Sequence, residues 1–248
     1  MKKNKVLVIG ERCNDIFIYG ISNRKSPEGK GPIFIPEEII TNQGMAANTA
    51  ANLKSMGIAV KTFCGLGNIT KTRYVNKETN ELYLRVDEND IVSRININDL
   101  PDLSEFDAII ISDYCKGFLT ELDISKIAKM HHLVVLDTKK LLGKWCKDVK
   151  FIKLNRFEAQ SNHDIIIEYG WLNEKLIITL DGNGASYNGK IMKVKKVHNG
   201  DVSGAGDTFV AGFVMKYIES NNIEESINWA NYCAGEVVKK KGVSVFEK

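Results

Sequence analysis

The chain carries, at Asp201–Phe209, the sequence Asp-Val-Ser-Gly-Ala-Gly-Asp-Thr-Phe. Apolar residues recur at helical spacing after it, which predicts that this glycine-rich turn opens a helix. The amides of Gly204, Ala205 and Gly206 would then point out of a helix N-terminus, where free N–H groups and the helix dipole attract anions. Asp207 follows at once, and its carboxylate could accept a proton from a hydroxyl. An anion site beside a base is what phosphoryl transfer to an alcohol requires.

A structural interpretation of the same stretch is also open. A Gly-Ala-Gly turn followed by an acidic residue is a common way to begin a helix, because a carboxylate favours the positive end of the helix dipole. The remainder of the chain has to decide between the two interpretations.

Short apolar runs alternate with segments of helical periodicity along the chain. This alternation predicts an α/β fold with a doubly wound, mostly parallel sheet flanked by helices. The run Ala108–Ile111 is continuously apolar, as expected of a strand buried on both faces. The predicted strands are Val6–Ile9, Val60–Cys64, Ala108–Ser112, Leu133–Asp137, Phe151–Leu154 and Leu176–Leu180. The predicted helices are Met45–Met56, Thr120–Met130, Phe157–Ser161, Ile165–Gly170 and Ile223–Lys240.

Two regions, about 16–41 and 73–86, break this alternation of strand and helix. In the second, Tyr74-Val75 and Glu81–Val86 flank the polar segment Asn76–Asn80, a pattern that predicts a hairpin. We expect both regions to pair into a small β lid. No linker composition separates the lid from the rest, so we predict a single domain over residues 1–248.

The composition excludes several classes of protein. Lys plus Arg is 34 and Asp plus Glu is 31, a balance that argues against a nucleic-acid-binding surface. Five cysteines without C-x-x-C spacing predict reduced thiols and a cytoplasmic protein, and four scattered histidines argue against a metal site. No apolar run approaches the length of a membrane span. The apolar start of the chain stops at Glu11-Arg12, too early for a signal peptide, and therefore fits a first strand better.

The pattern at Asp201–Phe209 resembles the C-terminal signature of the ribokinase-like (phosphofructokinase-B type) carbohydrate kinases. Further motifs follow in one order along the chain and resemble the heptose 7-phosphate kinase branch of that family. They are Val8-Ile9-Gly10 with Asp15, Tyr19-Gly20 with Arg24 and Ser26-Pro27-Glu28, Gly44–Asn48, Lys71–Arg73 with Leu84–Asp87, Ser112–Gly117, Asn155–Glu158, and Ala230-Asn231 with Ala234-Gly235.

The resemblance implies a ribokinase-like fold and a kinase that uses ATP and Mg²⁺. The acceptor it implies is a sugar hydroxyl, most specifically the anomeric hydroxyl of a heptose 7-phosphate, with Asp207 as the base and the Gly204, Ala205 and Gly206 amides around the transferred group. It implies sugar-binding roles for Asp15, Arg24, Gly44, Asn48, Lys71, Arg73, Asp113 and Lys116. It implies nucleotide-binding roles for Thr179, Asp181, Gly182, Gly184 and Asn231, and an indirect, water-mediated metal role for Asn155 and Glu158. Lids of this family often mediate dimers, so the resemblance also allows a homodimer.

Each of these motifs, taken alone, has a structural interpretation that stays open. The small residues of Gly44–Asn48 could serve close packing of a helix on the sheet. Asn155 and Glu158 could be an N-cap and its partner three residues later. Asp113 and Lys116 could form a solvated pair, and Thr179–Gly184 could be a hairpin turn.

The chain also departs from the family pattern. Gln43 stands where the first of two glycines is usual, and Glu11 replaces a common aspartate. Between Gly67 and Lys71 a helix and a strand of the family are missing. We expect no nucleotidyl-transferase half of the kind found in bifunctional heptose enzymes. Two alternatives therefore stay open: a kinase for another sugar, sugar phosphate or nucleoside, and a sugar- or nucleotide-binding module that no longer catalyses.

Overall fold

The computed structural model describes residues 3–195, 197 and 200–247. The strands are β1 (Lys5–Gly10), β2 (Arg12–Lys25), β3 (Pro32–Met45), β4 (Ala59–Cys64), β5 (Ile69–Asn76), β6 (Leu82–Glu88), β7 (Ala108–Asp113), β8 (Val134–Thr138), β9 (Phe151–Asn155), β10 (Leu176–Thr179), β11 (Ala185–Tyr187) and β12 (Lys190–Met192). The helices are α1 (Ala46–Ser55), α2 (Glu121–Met130), α3 (Arg156–Ser161), α4 (His163–Glu168), α5 (Ala205–Ser220) and α6 (Ile223–Val237).

The large sheet has the strand order β12-β11-β10-β9-β8-β7-β1-β4. From β10 to β4 all neighbours are parallel, and only β11 and β12 add an antiparallel end. The predicted α/β fold is therefore confirmed. Chain order reverses where β1 lies between β4 and β7, and open sheets of this kind bind ligands beside such a switch point.

Alternate residues of the central strands pack into two separate hydrophobic clusters, one on each face of the sheet. Val8 and Ile110 face the cluster that holds α1, α5 and α6, whereas Ile9 and Ile111 face the cluster that holds α2. All four side chains are fully buried. Burial of such a side chain contributes about 1.5–3 kcal/mol. The unbroken apolar run of β7 is thus explained by helices on both of its faces.

A second sheet, which we call the lid, has the strand order β3-β2-β5-β6. Its strands extend beyond the predicted bounds, since β2 begins at Arg12 and β5 at Ile69. The reason is that only Glu11 separates β1 from β2, so the chain passes directly from the large sheet into the lid. Paired residues of adjacent strands share one face, which gives the lid an inner face and an outer face.

The remaining differences from the sequence-based prediction lie at element ends. Helix α6 ends at Val237, three residues before the predicted end, and α4 is displaced toward His163. Strands β11 and β12 were not predicted, because each has only three residues. The short connection 65–68 joins β4 directly to β5, and β4 is an edge strand of the sheet. Among the described residues no helix is both long and apolar enough to cross a membrane.

Candidate active site

Helix α5 begins at Ala205, directly after the left-handed residue Gly204. Gly204 has φ 77°, and a Cβ there would lie 2.6 Å from Asn48 Nδ2. Glycine is therefore required both by the backbone angle and by the close approach of α1. The predicted helix start is confirmed, and the first turn, with its free amides, lines a cavity in front of the helix.

Asp207 lies in the first turn of α5 with only 4% of its surface exposed. Its Oδ1 accepts hydrogen bonds from Tyr114 Oη at 2.8 Å and Thr49 Oγ1 at 3.5 Å, and its Oδ2 accepts one from Asn48 Nδ2 at 3.1 Å. Desolvation raises the pKa of Asp207 to about 6, and the charge of Asp137 acts in the same direction. A carboxylate with this pKa is deprotonated at neutral pH and still basic enough to take a proton.

A chain of carboxamides fixes Asn48 against Asp207. Asn52 Nδ2 donates to Asn48 Oδ1 at 3.0 Å, and Asn52 Oδ1 accepts from the amide of Phe246 at 2.9 Å. Asn48, predicted to hold a sugar hydroxyl, thus directs its amide to Asp207 and to the Gly204 carbonyl. The sequence offered one signal for Asn52, its position four residues after Asn48 on the same helix face.

The cavity in front of α5 has a volume of about 400 Å³. Asn155 and the 204–207 turn line this cavity. All the residues predicted for the nucleotide side line it as well, and these are Thr179, Asp181, Gly182, Gly184 and Asn231. The turn between β10 and β11 contains Gly184 at φ 94°, where a Cβ would lie 2.1 Å from the Met192 carbonyl. The hairpin interpretation of this stretch is therefore also correct, since β10 and β11 pair antiparallel around the turn.

Two lysines that were not predicted as site residues line the same cavity. Lys153 lies on β9 with its ammonium 3.3 Å from Asp137 Oδ2, and a Cβ at Gly206 would lie 3.0 Å from it. Lys139 follows β8 and pairs with Glu158. The two ammonium groups add positive charge beside the helix N-terminus. They escaped prediction because no motif connects these positions along the chain.

Asn155 and Glu158 form a reciprocal cap at the start of α3. The Glu158 amide donates to Asn155 Oδ1 at 2.8 Å, and the Asn155 amide donates to Glu158 Oε2 at 2.7 Å. The structural interpretation of this motif thus holds, and Asn155 nevertheless lines the cavity. Among the described residues, no group of three or more His, Cys, Asp or Glu side chains could hold a metal ion, and one of the four histidines, His198, lies outside those residues.

The inner face of the lid carries four of the eight residues predicted for the acceptor, namely Asp15, Gly44, Lys71 and Arg73. Asp15 pairs with Arg73 at 2.5 Å, and a Cβ at Gly44 would lie 1.9 Å from Asp15 Oδ2. Lys71 lies beside Asp15 in the paired strands, 7% exposed, with its ammonium 5.2 Å from the centre of the Tyr114 ring. Burial lowers the pKa of Lys71.

Three of the residues predicted to bind the acceptor are either paired with other side chains or distant from the remaining ones. The Asp113 carboxylate is fully buried, 2.8 Å from Lys140 Nζ, and Lys116 pairs with Asp90, so Asp113 and Lys116 do not form a solvated pair. Arg24 is exposed near the end of β2, nine residues beyond Asp15, or roughly 25–30 Å along the strand. The structure does not bring Arg24 to the other acceptor residues of the same chain.

Residues 74–248 match the model of the family described as "pfkB family carbohydrate kinase". The chain belongs to this family. Carbohydrate kinases are phosphotransferases that act on a sugar hydroxyl, and the family as a whole implies ATP as the phosphoryl donor. The structural interpretation of the Asp201–Phe209 turn as a helix start is correct, and the catalytic role of the same turn stays a prediction.

Curated relatives of this chain include two proteins named bifunctional protein HldE. The one from Helicobacter acinonychis is 29% identical over 96% of this chain, and so is the one from Helicobacter pylori strain J99. The chain spans 63% of the length of each. The alignment of 297 positions is longer than the chain itself, so the relatives carry residues that have no counterpart here.

Solved structures with the same fold include three members of the ribokinase family. Ribokinase from Thermotoga maritima has a TM-score of 0.73 at 15% identity and covers 96% of this chain and 94% of its own. Nucleoside kinase from Methanocaldococcus jannaschii has a TM-score of 0.72 at 17% identity, covering 99% and 95%. Arabidopsis thaliana ribokinase, solved with ribose and ATP, has a TM-score of 0.72 at 14% identity, covering 100% and 95%.

Proposed function

We propose that this kinase transfers the γ-phosphate of ATP to the anomeric hydroxyl of a heptose 7-phosphate. The placement of Asp207 carries the proposal. Its buried carboxylate, with a pKa of about 6, lies between the cavity in front of α5 and the inner face of the lid. The resemblance of the lid motifs to heptose 7-phosphate kinases supports the choice of acceptor.

At this site Asp207 takes the proton of the acceptor hydroxyl as the oxygen attacks the γ-phosphorus. The amides of Gly204, Ala205 and Gly206 and the ammonium of Lys153 face the charge that spreads over the transferred group. These groups are already in position before the reaction, so little reorganisation accompanies charge transfer. The nucleotide occupies the cavity along β10, the 181–184 turn and α6.

Mg²⁺ is the metal that the nucleotide side accommodates. It prefers oxygen ligands, keeps several waters and is commonly held through substrate phosphates rather than by a cluster of protein ligands. This fits a cavity lined by Asn155 and close to the carboxylate of Glu158, which would act through water. When bound with ATP, Mg²⁺ neutralises charge on the phosphate oxygens.

An anionic acceptor is supported by Lys71. Its ammonium is buried on the inner face of the lid, and among the described residues no carboxylate lies within ion-pair distance of it. A buried charge without a counterion is unfavourable, and the pKa of Lys71 is lowered accordingly. A phosphate on the acceptor would supply the missing counterion, with Arg73 beside it on the same strand.

The proposal is tested by measuring ADP release from ATP and Mg²⁺ over a panel of sugars and sugar phosphates, with Asp207→Asn alongside. We expect turnover with heptose 7-phosphate and a loss of about 10²–10⁴-fold in the variant. Asp164→Asn, an exposed carboxylate on α4, is the matched control. Turnover with another sugar or nucleoside, and none with heptose 7-phosphate, would assign that other compound as the acceptor. Binding of ATP or a sugar with no turnover at all would indicate a non-catalytic module.

We also propose that the kinase forms a homodimer through the outer face of its lid. A separate proposal is that it works in a reducing compartment, the cytoplasm. One row of apolar residues crosses the four lid strands on the outer face, and it consists of Ile39, Ile18, Tyr74 and Leu84. Ile39 and Leu84 are 65% and 55% exposed, which is unusual for an apolar row on a sheet. Among the described residues Cys13, Cys64, Cys115 and Cys146 form no disulfide, which fits a reducing environment.

A further inference from the structure

The two oxygens of the Asp207 carboxylate have different surroundings. Oδ1 accepts from both Tyr114 and Thr49, whereas Oδ2 accepts from Asn48 alone among the residues that the structure describes. A carboxylate oxygen has two lone pairs. Oδ1 is therefore fully engaged, and Oδ2 retains a lone pair for the proton of an acceptor hydroxyl. The shortest of the three contacts, at 2.8 Å, is the one made by Tyr114.

Glu11, which is fully buried, stabilises the loop that carries Tyr114. Its carboxylate accepts the amides of Tyr114 at 2.8 Å, Lys116 at 2.9 Å and Phe118 at 3.4 Å. Three hydrogen bonds to one carboxylate stabilise the observed conformation of this loop. Tyr114 Oη thus reaches Asp207 from a backbone that is itself fixed.

Two ammonium groups lie close to the Tyr114 ring. Lys71 of the lid and Lys139 of the large sheet each lie 5.2 Å from the ring centre. A cation over an aromatic ring is attracted by the negative charge of its face. The ring therefore contacts the acceptor side and the nucleotide side at once, with its hydroxyl directed at the carboxylate between them.

We propose that Tyr114 is a positioning residue for Asp207: its hydroxyl turns Oδ1 away from the reaction, presents Oδ2 to the acceptor and stabilises the ionised carboxylate. The inference rests on the proposed role of Asp207 as the base. The phenol itself takes no proton from the acceptor and gives none to the products.

The groups around Asp207 determine how its pKa should change when the Tyr114 hydroxyl is removed. Desolvation and Asp137 raise the pKa of Asp207, whereas Asn48, Tyr114 and Lys153 lower it. Lys139 and the Cys13 thiol also interact with the Asp207 charge. The pKa of Tyr114 is raised well above 10 by burial and by the Asp207 charge, so the phenol stays a donor at every pH at which Asp207 titrates.

The test is the titration of Asp207 in the full chain, followed by the NMR signal of its carboxyl carbon in wild type and Tyr114→Phe. Asp207→Asn identifies the signal. We expect the pKa to rise by about one unit in Tyr114→Phe, since one hydrogen bond to a charged group is lost. Tyr187→Phe is the matched control, because Tyr187 Oη donates to the Glu174 carbonyl outside the site. An unchanged Asp207 pKa in Tyr114→Phe overturns the inference.

The pH dependence of kcat/KM supplies the second readout. In Tyr114→Phe the acid limb should move to higher pH by the same amount, and kcat at its plateau should fall by about tenfold because Oδ2 is no longer held toward the acceptor. Overlapping profiles for the two proteins would overturn the positioning role. Absence of turnover in wild type would instead contradict the proposed function, and the NMR titration would still decide the role of Tyr114.

Discussion

At the scale of single residues, the site is governed by the cost of burying charge. Asp207 is nearly inaccessible to water, and three neutral donors with one lysine compensate for only part of its desolvation. Its pKa therefore settles near the pH at which the enzyme would need a base. The same burial makes Asp207 a source of instability at neutral pH, as is common for catalytic groups.

This instability can be measured. The pKa of Asp207 is about 6 in the folded protein against 3.8 for an ordinary aspartate. Because the folded value is the higher one, protonation favours the folded state, and that stabilisation is lost as the pH rises from about 4 to about 6. The difference corresponds to about 3 kcal/mol. In urea denaturation, the free energy of unfolding of Asp207→Asn minus that of wild type should increase by about 2–3 kcal/mol as the pH is raised from 4 to 7.

Both proteins share every other titrating group, so their difference isolates Asp207. A difference in the free energy of unfolding that stays constant over this pH range would contradict the raised pKa.

At the scale of elements, the lid is organised by its strand pairing. The inner face carries the row Asp15, Lys71 and Asp87, followed by the row Phe17, Arg73 and Arg85. The outer face carries the apolar row that includes Leu84. A shift of one residue in the pairing would exchange the two faces, so the register determines which side can bind an acceptor.

Lys71→Met tests the inner face, since methionine keeps most of the side-chain length and removes the charge. We expect the KM of a phosphorylated acceptor to rise about 10–100-fold while the KM of ATP stays unchanged, because one hydrogen-bonded charge pair is lost. Steady-state kinetics with each substrate varied in turn provides the measurement.

Lys25→Met, at the exposed end of β2, serves as the control for a general effect of lid charge. An equal KM for the acceptor in Lys71→Met and wild type would remove Lys71 from the acceptor site.

At the scale of the whole molecule, the candidate active site lies where the large sheet, α5 and the lid meet. Residues far apart in sequence converge there, since Tyr114 follows β7 and Asp207 lies on α5. The direct connection from β4 to β5 leaves β4 as an edge strand beside the lid. The outer face of the lid remains exposed and apolar, which is the basis for the proposed homodimer.

Sedimentation velocity tests the homodimer. Wild type should sediment as a dimer, and Leu84→Glu should sediment as a monomer, because two carboxylates, one from each subunit, would be buried in an apolar interface. Leu141→Glu changes an equally exposed leucine outside the lid and should leave the dimer intact. A wild type that is monomeric at high protein concentration would contradict the interface.

The sequence by itself determined the fold class and the strands β1, β4, β7, β8, β9 and β10 to within one residue at each end, and it singled out Asp207 as the candidate base. These features are local: apolar runs report burial, and a glycine-rich turn before an amphipathic segment reports a helix start. The short strands β11 and β12 lacked such a signal, since three residues carry too little periodicity.

Only the tertiary structure decided what surrounds Asp207. Tyr114, Lys153 and Asn52 reach the site from three different elements, and nothing in the spacing of the sequence connects them. The structure likewise separated Arg24 from the acceptor residues, because distance along a strand becomes distance in space. Contacts between elements depend on how the sheet, helices and lid pack, and that packing is a property of the whole chain rather than of any one motif.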